Sequence, residues 1–316
     1  MSKKEKGVFR TNLEYFATLA GFKIIRMIPL RIAIFLAKLI FRIYFYTDSR
    51  RRKRTIQHIL HAGIETDHSA AVRLAKINFG NYAQTAVEIV KMDQILTPKN
   101  LKEKVSYSGD KESIEKFLTG EKTSPAIIVT SHTGNWELAG ITYTMTSRIP
   151  LLSVMRPMAN VKLERFFYKR VNNHNHNSCL KKGAIKSLLS ALKKGESIAI
   201  VTDQHASSSE GIETSFFGHP ARTHVSPAIL HLKTGIPIIV VALLRTKTPG
   251  YFTFNIKEAI NEKPSGDKEA DVKKVTQMYT DKIEEIIREY PEQWPWTHRR
   301  WLDINRKSKY TAPDAE

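Results

Sequence analysis

The chain of 316 residues has one cysteine, Cys179. A single thiol excludes an intrachain disulfide framework and any zinc site built from cysteine alone, and nothing in the composition asks for an oxidising compartment. Uninterrupted hydrophobic runs are also missing. The most apolar stretch, FKIIRMIPLRIAIFLAKLIFRIYFY at 22–46, is broken by Lys23, Arg26, Arg31, Lys38 and Arg42, which argues against a simple membrane-spanning helix. No small-residue cleavage pattern follows it, so a cleavable signal peptide is not expected. There is no internal repeat, no recognised nucleic-acid-binding motif and no G-x-S-x-G elbow to carry a nucleophilic serine. Acidic residues are scarce beside basic ones, 31 against 50, which leaves a formal charge of +19. A surplus of that size points to an anionic partner: nucleic acid, anionic lipid or an acidic carrier protein.

The distribution of the charge selects among these. On a helix beginning near Pro29, Arg31, Lys38 and Arg42 fall on one face, because offsets of seven and eleven residues are close to whole turns. The basic run Arg50, Arg51, Arg52, Lys53, Arg54 follows at once. An apolar helix with a basic stripe and a basic run fits an anionic membrane surface. The competing reading is a core helix followed by a solvated charge run. Nucleic acid is not expected as a partner, since the aromatics sit among aliphatic residues rather than basic ones.

Residues 1–100 read as mostly helical, with SAAVRLAKINFGNYAQTAVEIVKM at 69–92 carrying apolar residues at helical spacing before the LTPKN break. Beyond it the pattern alternates. Strand-like runs fall at 125–130, 150–155, 197–202 and 236–244, and helix-like runs at 136–146, 160–171, 184–194, 225–234 and 271–289. DQHASSSEGIET reads as a surface loop. The expected architecture is a single α/β domain over 101–305, with a central, largely parallel or mixed sheet flanked by helices. A helical, membrane-docking region at 1–100 precedes it, and a tail at 306–316 follows. Four strand-like runs end in polar or ionisable residues: His132, Arg156, Asp203 with Gln204, and Arg245. Sites in open α/β sheets form outside the carboxyl ends of the strands, so these four can converge.

The segment IVTSHTGNWELAG at 128–140 passes from a β-branched run through Gly134 into a helix-like stretch, with His132 and Glu137 on either side of the turn. Imidazole beside a carboxylate suits a hydroxyl that must lose its proton to become a nucleophile near neutral pH. The alternative is a hydrogen-bonded turn histidine and a first-turn glutamate favoured by the helix dipole. NNHNHN at 172–177 offers His174 and His176, but a metal wants a third ligand and none is visible, so a polar loop is expected.

SHTGNWE resembles the H-x-x-x-x-D/E block of the glycerolipid acyltransferase superfamily, in the H-F-G-N-W-E form of bacterial late acyltransferases of lipid A biosynthesis. RPMAN at 156–160, LKKGESIAIVTDQ at 192–204, FFGHPARTHVSPAILHLKTGIPIIVVALLR at 216–245 and YPEQWPWTHRRW at 290–301 are similar to that family's later blocks, in the same order. The resemblance implies a membrane-associated acyltransferase with His132 as general base and Glu137 as its partner. Asn135, Arg156, Asp203, Gln204 and Arg245 are implied as substrate-binding or oxyanion candidates. No metal and no tightly bound cofactor are implied. The co-substrate would be an acyl-carrier-protein thioester or acyl-coenzyme A, and the acceptor a hydroxyl of a phosphorylated glycolipid of the lipid A type. The place of work would be the cytoplasmic face of a bacterial inner membrane. Acylation of another lysophospholipid or glycosylated phospholipid, and a non-catalytic membrane-binding protein of the same fold, stay open at this point.

Overall fold

The computed structural model describes residues 8–172, 175–181 and 183–301. Helices come first. α1 (Val8–Met27) and α2 (Leu30–Thr47) are separated at Pro29, whose fixed φ and missing N–H suit the start of a new helix. α3 (Ser49–His61) and α4 (His68–Val90) begin at Asp48 and Asp67, whose carboxylates accept the backbone N–H of Arg51 and Ala70. Two short helices, α5 (Met92–Ile95) and α6 (Leu101–Lys104), lead into the sheet.

The remainder runs β1 (Val105–Gly109), α7 (Lys111–Ile114), β2 (Ile127–Gly134), α8 (Trp136–Ser147), β3 (Leu151–Met155), α9 (Val161–Val171), β4 (His176–Leu180), α10 (Ala184–Lys193) and β5 (Ser197–Val201). It continues with β6 (Gly211–Phe216), β7 (His219–His224), α11 (Ser226–Thr234), β8 (Ile238–Arg245), β9 (Phe252–Ile256) and α12 (Lys268–Glu289). Seven strands form one sheet in the order β1-β9-β8-β2-β5-β3-β4, and β6 pairs with β7 in a separate hairpin. The strands from β8 to β4 are mutually parallel. β9 runs antiparallel to β8, and β1 parallel to β9, so the sheet is mixed.

Strand alternation divides the core between the two faces of the sheet. Ile127 and Val129 of β2 face a cluster that includes Ile59 of α3, Phe79 of α4, Leu188 of α10, Ile283 of α12 and Trp294. Ile128, between them, joins Leu138 and Ile141 of α8 with Phe254 of β9.

The structure adds strands where short polar segments gave no strand-like run. His176–Leu180, overlapping the expected polar loop, is strand β4, and Gly211–Phe216 takes the end of the expected DQHASSSEGIET loop into β6. Both carry polar residues that fit an edge strand or a hairpin, where one side of the ribbon meets water.

The N-terminal region is helical, and among the described residues no helix is long and apolar enough to cross a membrane. α2 packs on α4, with Lys38 lying across Gly80, where the missing side chain lets the lysine stem approach. Its outer face carries Ile32, Phe35, Leu39 and Ile43, and Phe35 and Ile43 are 65% and 60% exposed. A run of large apolar side chains turned to the outside is the arrangement of a surface that meets something apolar.

Candidate active site

β2 pairs regularly with β5 and β8 as far as Thr130, then loses register with β8 before Gly134. Thr130 pairs with Val241 and Gly134 with Leu243, so four steps on β2 match two on β8. The excess lifts Ser131, His132 and Thr133 out of the ladder, as bulges beside active sites do. Gly134 closes the excursion with φ +69°, and a Cβ there would lie 2.1 Å from the carbonyl oxygen of Leu243. Asn135 then caps α8 by accepting the N–H of Leu138.

The lifted residue meets β5. Asp203 lies just beyond that strand, fully buried, and its Oδ2 accepts the backbone N–H of His132 at 2.9 Å while its Oδ1 lies 2.7 Å from His132 Nδ1. Trp294 Nε1 donates to the same Oδ2 at 2.7 Å. Burial alone would raise this carboxyl; the charge of His132 and the hydrogen bonds from its ring and backbone overcome it and hold Asp203 well below the usual carboxylate range. With Asp203 ionised, the base form of His132 has its proton on Nδ1 and its Nε2 lone pair as acceptor. Facing Nε2, at 3.3 Å, is Gln204 Nε2.

Sequence reasoning made Glu137 the partner of His132; the structure puts Asp203 there. Glu137 lies in the first turn of α8, and its carboxylate accepts Trp136 Nε1 at 3.2 Å. Burial raises its pKa above the usual carboxylate value, against the Trp136 hydrogen bond and the field of His132. Trp136 stands edge-on to His132 at 4.7 Å between ring centroids. Beyond the indole lies a cavity of about 80 Å³ lined by Glu137 with Tyr143, Leu151, Val154 and His176. The hydrogen bond of this carboxylate thus goes to the tryptophan, and that of the imidazole to Asp203.

Asn135 and Arg245, expected as substrate or oxyanion contacts, are used internally. Asn135 Nδ2 donates to Glu88 Oε2 at 2.9 Å, and Arg245 Nε to the same oxygen at 2.8 Å. Arg245 also donates to Thr85 Oγ1 and to the carbonyl of Gly134. Glu88 is fully buried on α4, so this network ties the Gly134–Asn135 turn to the N-terminal helices. A buried charge needs a paired and hydrogen-bonded partner, which explains why Arg245 turns inward. Arg156 follows β3 and is exposed, outside hydrogen-bond reach of the imidazole. Its charge is one of the influences on His298.

His298, Trp294 and Glu88 were not singled out from the sequence. The signal for the first two was the block YPEQWPWTHRRW, which carries no indication of what it touches. Its backbone is held by α3 and α4: His58 Nδ1 lies 2.8 Å from the Trp296 carbonyl, and Asn78 Nδ2 donates to the Trp294 carbonyl at 2.5 Å. Arg300, nearly fully buried, donates to the Arg222 carbonyl and to Thr223 Oγ1, pinning the β6–β7 hairpin beside Gln204. His298 packs 5.1 Å from the His132 ring; burial, then the charge of His132, bring it down to about 4.

Among the described residues no group of three or more His, Cys, Asp or Glu side chains is placed to share a metal ion. His174 lies outside the described residues. Cys179 sits on β4 beside Val154, and burial pushes its thiol up, away from the reactive thiolate.

An imidazole backed by a buried aspartate, lifted beyond the parallel strands of a mixed sheet, is an arrangement suited to proton transfer. The comparison with known families is more definite. Residues 2–303 match the family described as bacterial lipid A biosynthesis acyltransferase, and the chain belongs to that family, whose members are acyltransferases. A comparison with curated proteins found no match.

Proposed function

We propose that this protein moves a fatty acyl chain from a thioester to a hydroxyl of a phosphorylated glycolipid of the lipid A precursor type, with His132 as general base. The observation that carries the reading is the 2.7 Å contact between His132 Nδ1 and the buried Asp203, which leaves Nε2, facing the Gln204 amide, as the basic nitrogen. The acceptor O–H gives its proton to Nε2 as its oxygen attacks the thioester carbonyl. The resulting imidazolium is stabilised by Asp203. When the tetrahedral intermediate collapses, the C–S bond breaks and the leaving thiolate takes that proton back. No acyl-enzyme is formed.

A cavity walled by aromatic and aliphatic side chains of α2 and α4 supports a lipid substrate. His132 and Trp136 line a narrow crevice with Asn78, Tyr82 and Pro295, and the last three also line an adjoining cavity of about 430 Å³. Ile40, Phe41 and Tyr44 of α2 form its outer wall, on the helix whose apolar side chains face outward. In this reading an acyl chain from a bilayer against α2 enters the larger cavity, and the crevice of about 10 Å³ that leads on to the imidazole has to widen to admit it. The same helix, with the basic run of α3, docks the protein on the anionic cytoplasmic face of the inner membrane. The positive surface suits an acidic acyl carrier protein as donor and also the polyanionic coenzyme A.

The test is acyl transfer by purified protein reconstituted in anionic vesicles, from each thioester to a phosphorylated disaccharide lipid and to lysophospholipids. Transfer to the glycolipid is expected. His132→Ala should lower its rate by about 10²–10⁴ while thioester binding persists. Preferred acylation of a lysophospholipid would replace the acceptor class, and near-normal turnover by His132→Ala would remove the proposed base.

A further inference from the structure

The amide of Gln204 stands between two imidazoles. Its Nε2 lies 3.3 Å from His132 Nε2 and 3.5 Å from His298 Nε2. The direction of these contacts follows from proton counting. In the base form that the proposed reaction requires, His132 has its proton on Nδ1 against Asp203, so its Nε2 carries a lone pair and only a donor can face it. The amide must therefore present its NH₂ side and not its carbonyl oxygen. That group has two hydrogens; with one on His132, the other points toward His298 Nε2, which must also be a lone pair. His298 is buried and neutral, so it can accept.

This arrangement poses a problem for the base. In the substrate-free protein an amide N–H occupies the lone pair that must take the hydroxyl proton. An acceptor hydroxyl has to displace it, and a displaced amide with no other partner would swing away. We propose that His298 is a positioning residue that keeps the Gln204 amide in place when the acceptor hydroxyl takes over His132 Nε2, so that the released N–H stays aimed at the reacting centre. Held in that way, the N–H lies beside the attacked carbonyl, where negative charge develops, and serves as a preorganised donor. His298 then acts through Gln204 and touches no substrate. The proposal rests on His132 being the base.

Three variants and one spectrum test it, with turnover normalised to folded protein in the reconstituted assay. His298→Leu removes the acceptor and should lower kcat about tenfold, the worth of one well-placed hydrogen bond, with the KM for the thioester within twofold. His298→Gln returns an acceptor oxygen and should recover a large part of that loss. Equal losses in both variants, or no loss in His298→Leu, would overturn the proposal. Imidazole ¹⁵N NMR of the wild-type protein in detergent should show His298 with its proton on Nδ1, and Gln204→Leu should shift the Nε2 signal. A wild-type His298 carrying its proton on Nε2 would overturn the proposal even if His298→Leu does not fold. His132→Ala separates the two levels. Loss of turnover there with normal His298→Leu kinetics sinks only the role of His298, whereas near-normal turnover sinks the base and this proposal together.

Discussion

Asp203 holds His132 through ring and backbone at once, whereas the hydrogen bond of Glu137 comes from the indole of Trp136. The two carboxylates should therefore rank differently on substitution. Asp203→Asn removes the charge that stabilises the imidazolium and lets an amide N–H face Nδ1, which favours the wrong tautomer. A fall in kcat of about 10²–10⁴ is expected. Glu137→Gln keeps an oxygen for Trp136 Nε1 to donate to, so its loss should stay within about tenfold, the scale of one hydrogen bond. Turnover per folded molecule is the measurement, and a deeper loss in Glu137→Gln would reverse the ranking. Sequence reasoning identified His132 and brought Asp203 to the same sheet edge, but it paired the imidazole with the carboxylate nearest in the chain. The bulge at residues 131–133 takes His132 toward β5, while Asn135 starts a helix that puts Glu137 against the indole.

Among the elements, α2 makes the clearest testable statement. Its inner side lies on α4, and deleting it would uncover Phe79, so point substitutions on the outer side are the cleaner probe. Phe35→Asp and Ile43→Asp each place a charge where the native side chain is mostly exposed. Stability should change by no more than about 0.5 kcal/mol, while flotation with anionic vesicles should drop sharply. Unchanged flotation with both substitutions combined would end the docking role of this helix. The basic run that follows is not uniform. Arg52 donates to the carbonyls of Phe45 and Tyr46, and Arg54 to that of Thr297, so both hold structure. Arg50 and Lys53 are exposed. Neutralising only those two should weaken vesicle binding and make it less salt-sensitive without lowering the melting temperature. The strand and helix positions around 127–171, 184–201 and 226–245 were legible because β-branched runs and helical spacing are local properties. β4 and β6 were not, since five- and six-residue strands rich in polar side chains acquire their pairing only from a neighbour already in place.

For the molecule as a whole, buried histidines set the pH response. Burial brings His58, His176 and His298 each down to about 4. The unfolded chain protonates them near pH ~6.5, so between there and 4 the unfolded state binds more protons and stability rises with pH. Asp203, held below its unfolded value, adds stability above pH ~3.9 that is lost only as the pH falls through its lower folded value. Glu137, raised by burial, acts in the opposite direction and takes stability away as the pH rises past ~4.3. Three histidines outweigh one glutamate in the window from pH 6.5 to 5. The melting temperature should therefore fall on acidification through that window, and a flat profile from pH 7 to 5 would contradict the buried neutral histidines.

The sequence by itself determined the features that depend on neighbours in the chain. These are the β-branched run of β2, the glycine that turns it, the asparagine that caps α8, the basic and apolar N-terminal helices, and the ordered blocks that mark the family. It also determined that several strands would end in ionisable residues, because parallel α/β units deliver their carboxyl ends to one edge. Only the tertiary structure decided which of those residues meet. Asp203 reaches His132 because β5 lies next to β2, a neighbourhood formed across 71 residues of chain. Arg245 turns inward because Glu88, on a helix far earlier in the chain, is buried and needs a countercharge. His298 and Trp294 arrive on a C-terminal segment held by α3 and α4. Local propensity is a property of a few consecutive residues, whereas the contacts of an active site are set by strand order and by buried charges that must be paired, and both are decided when the whole chain packs.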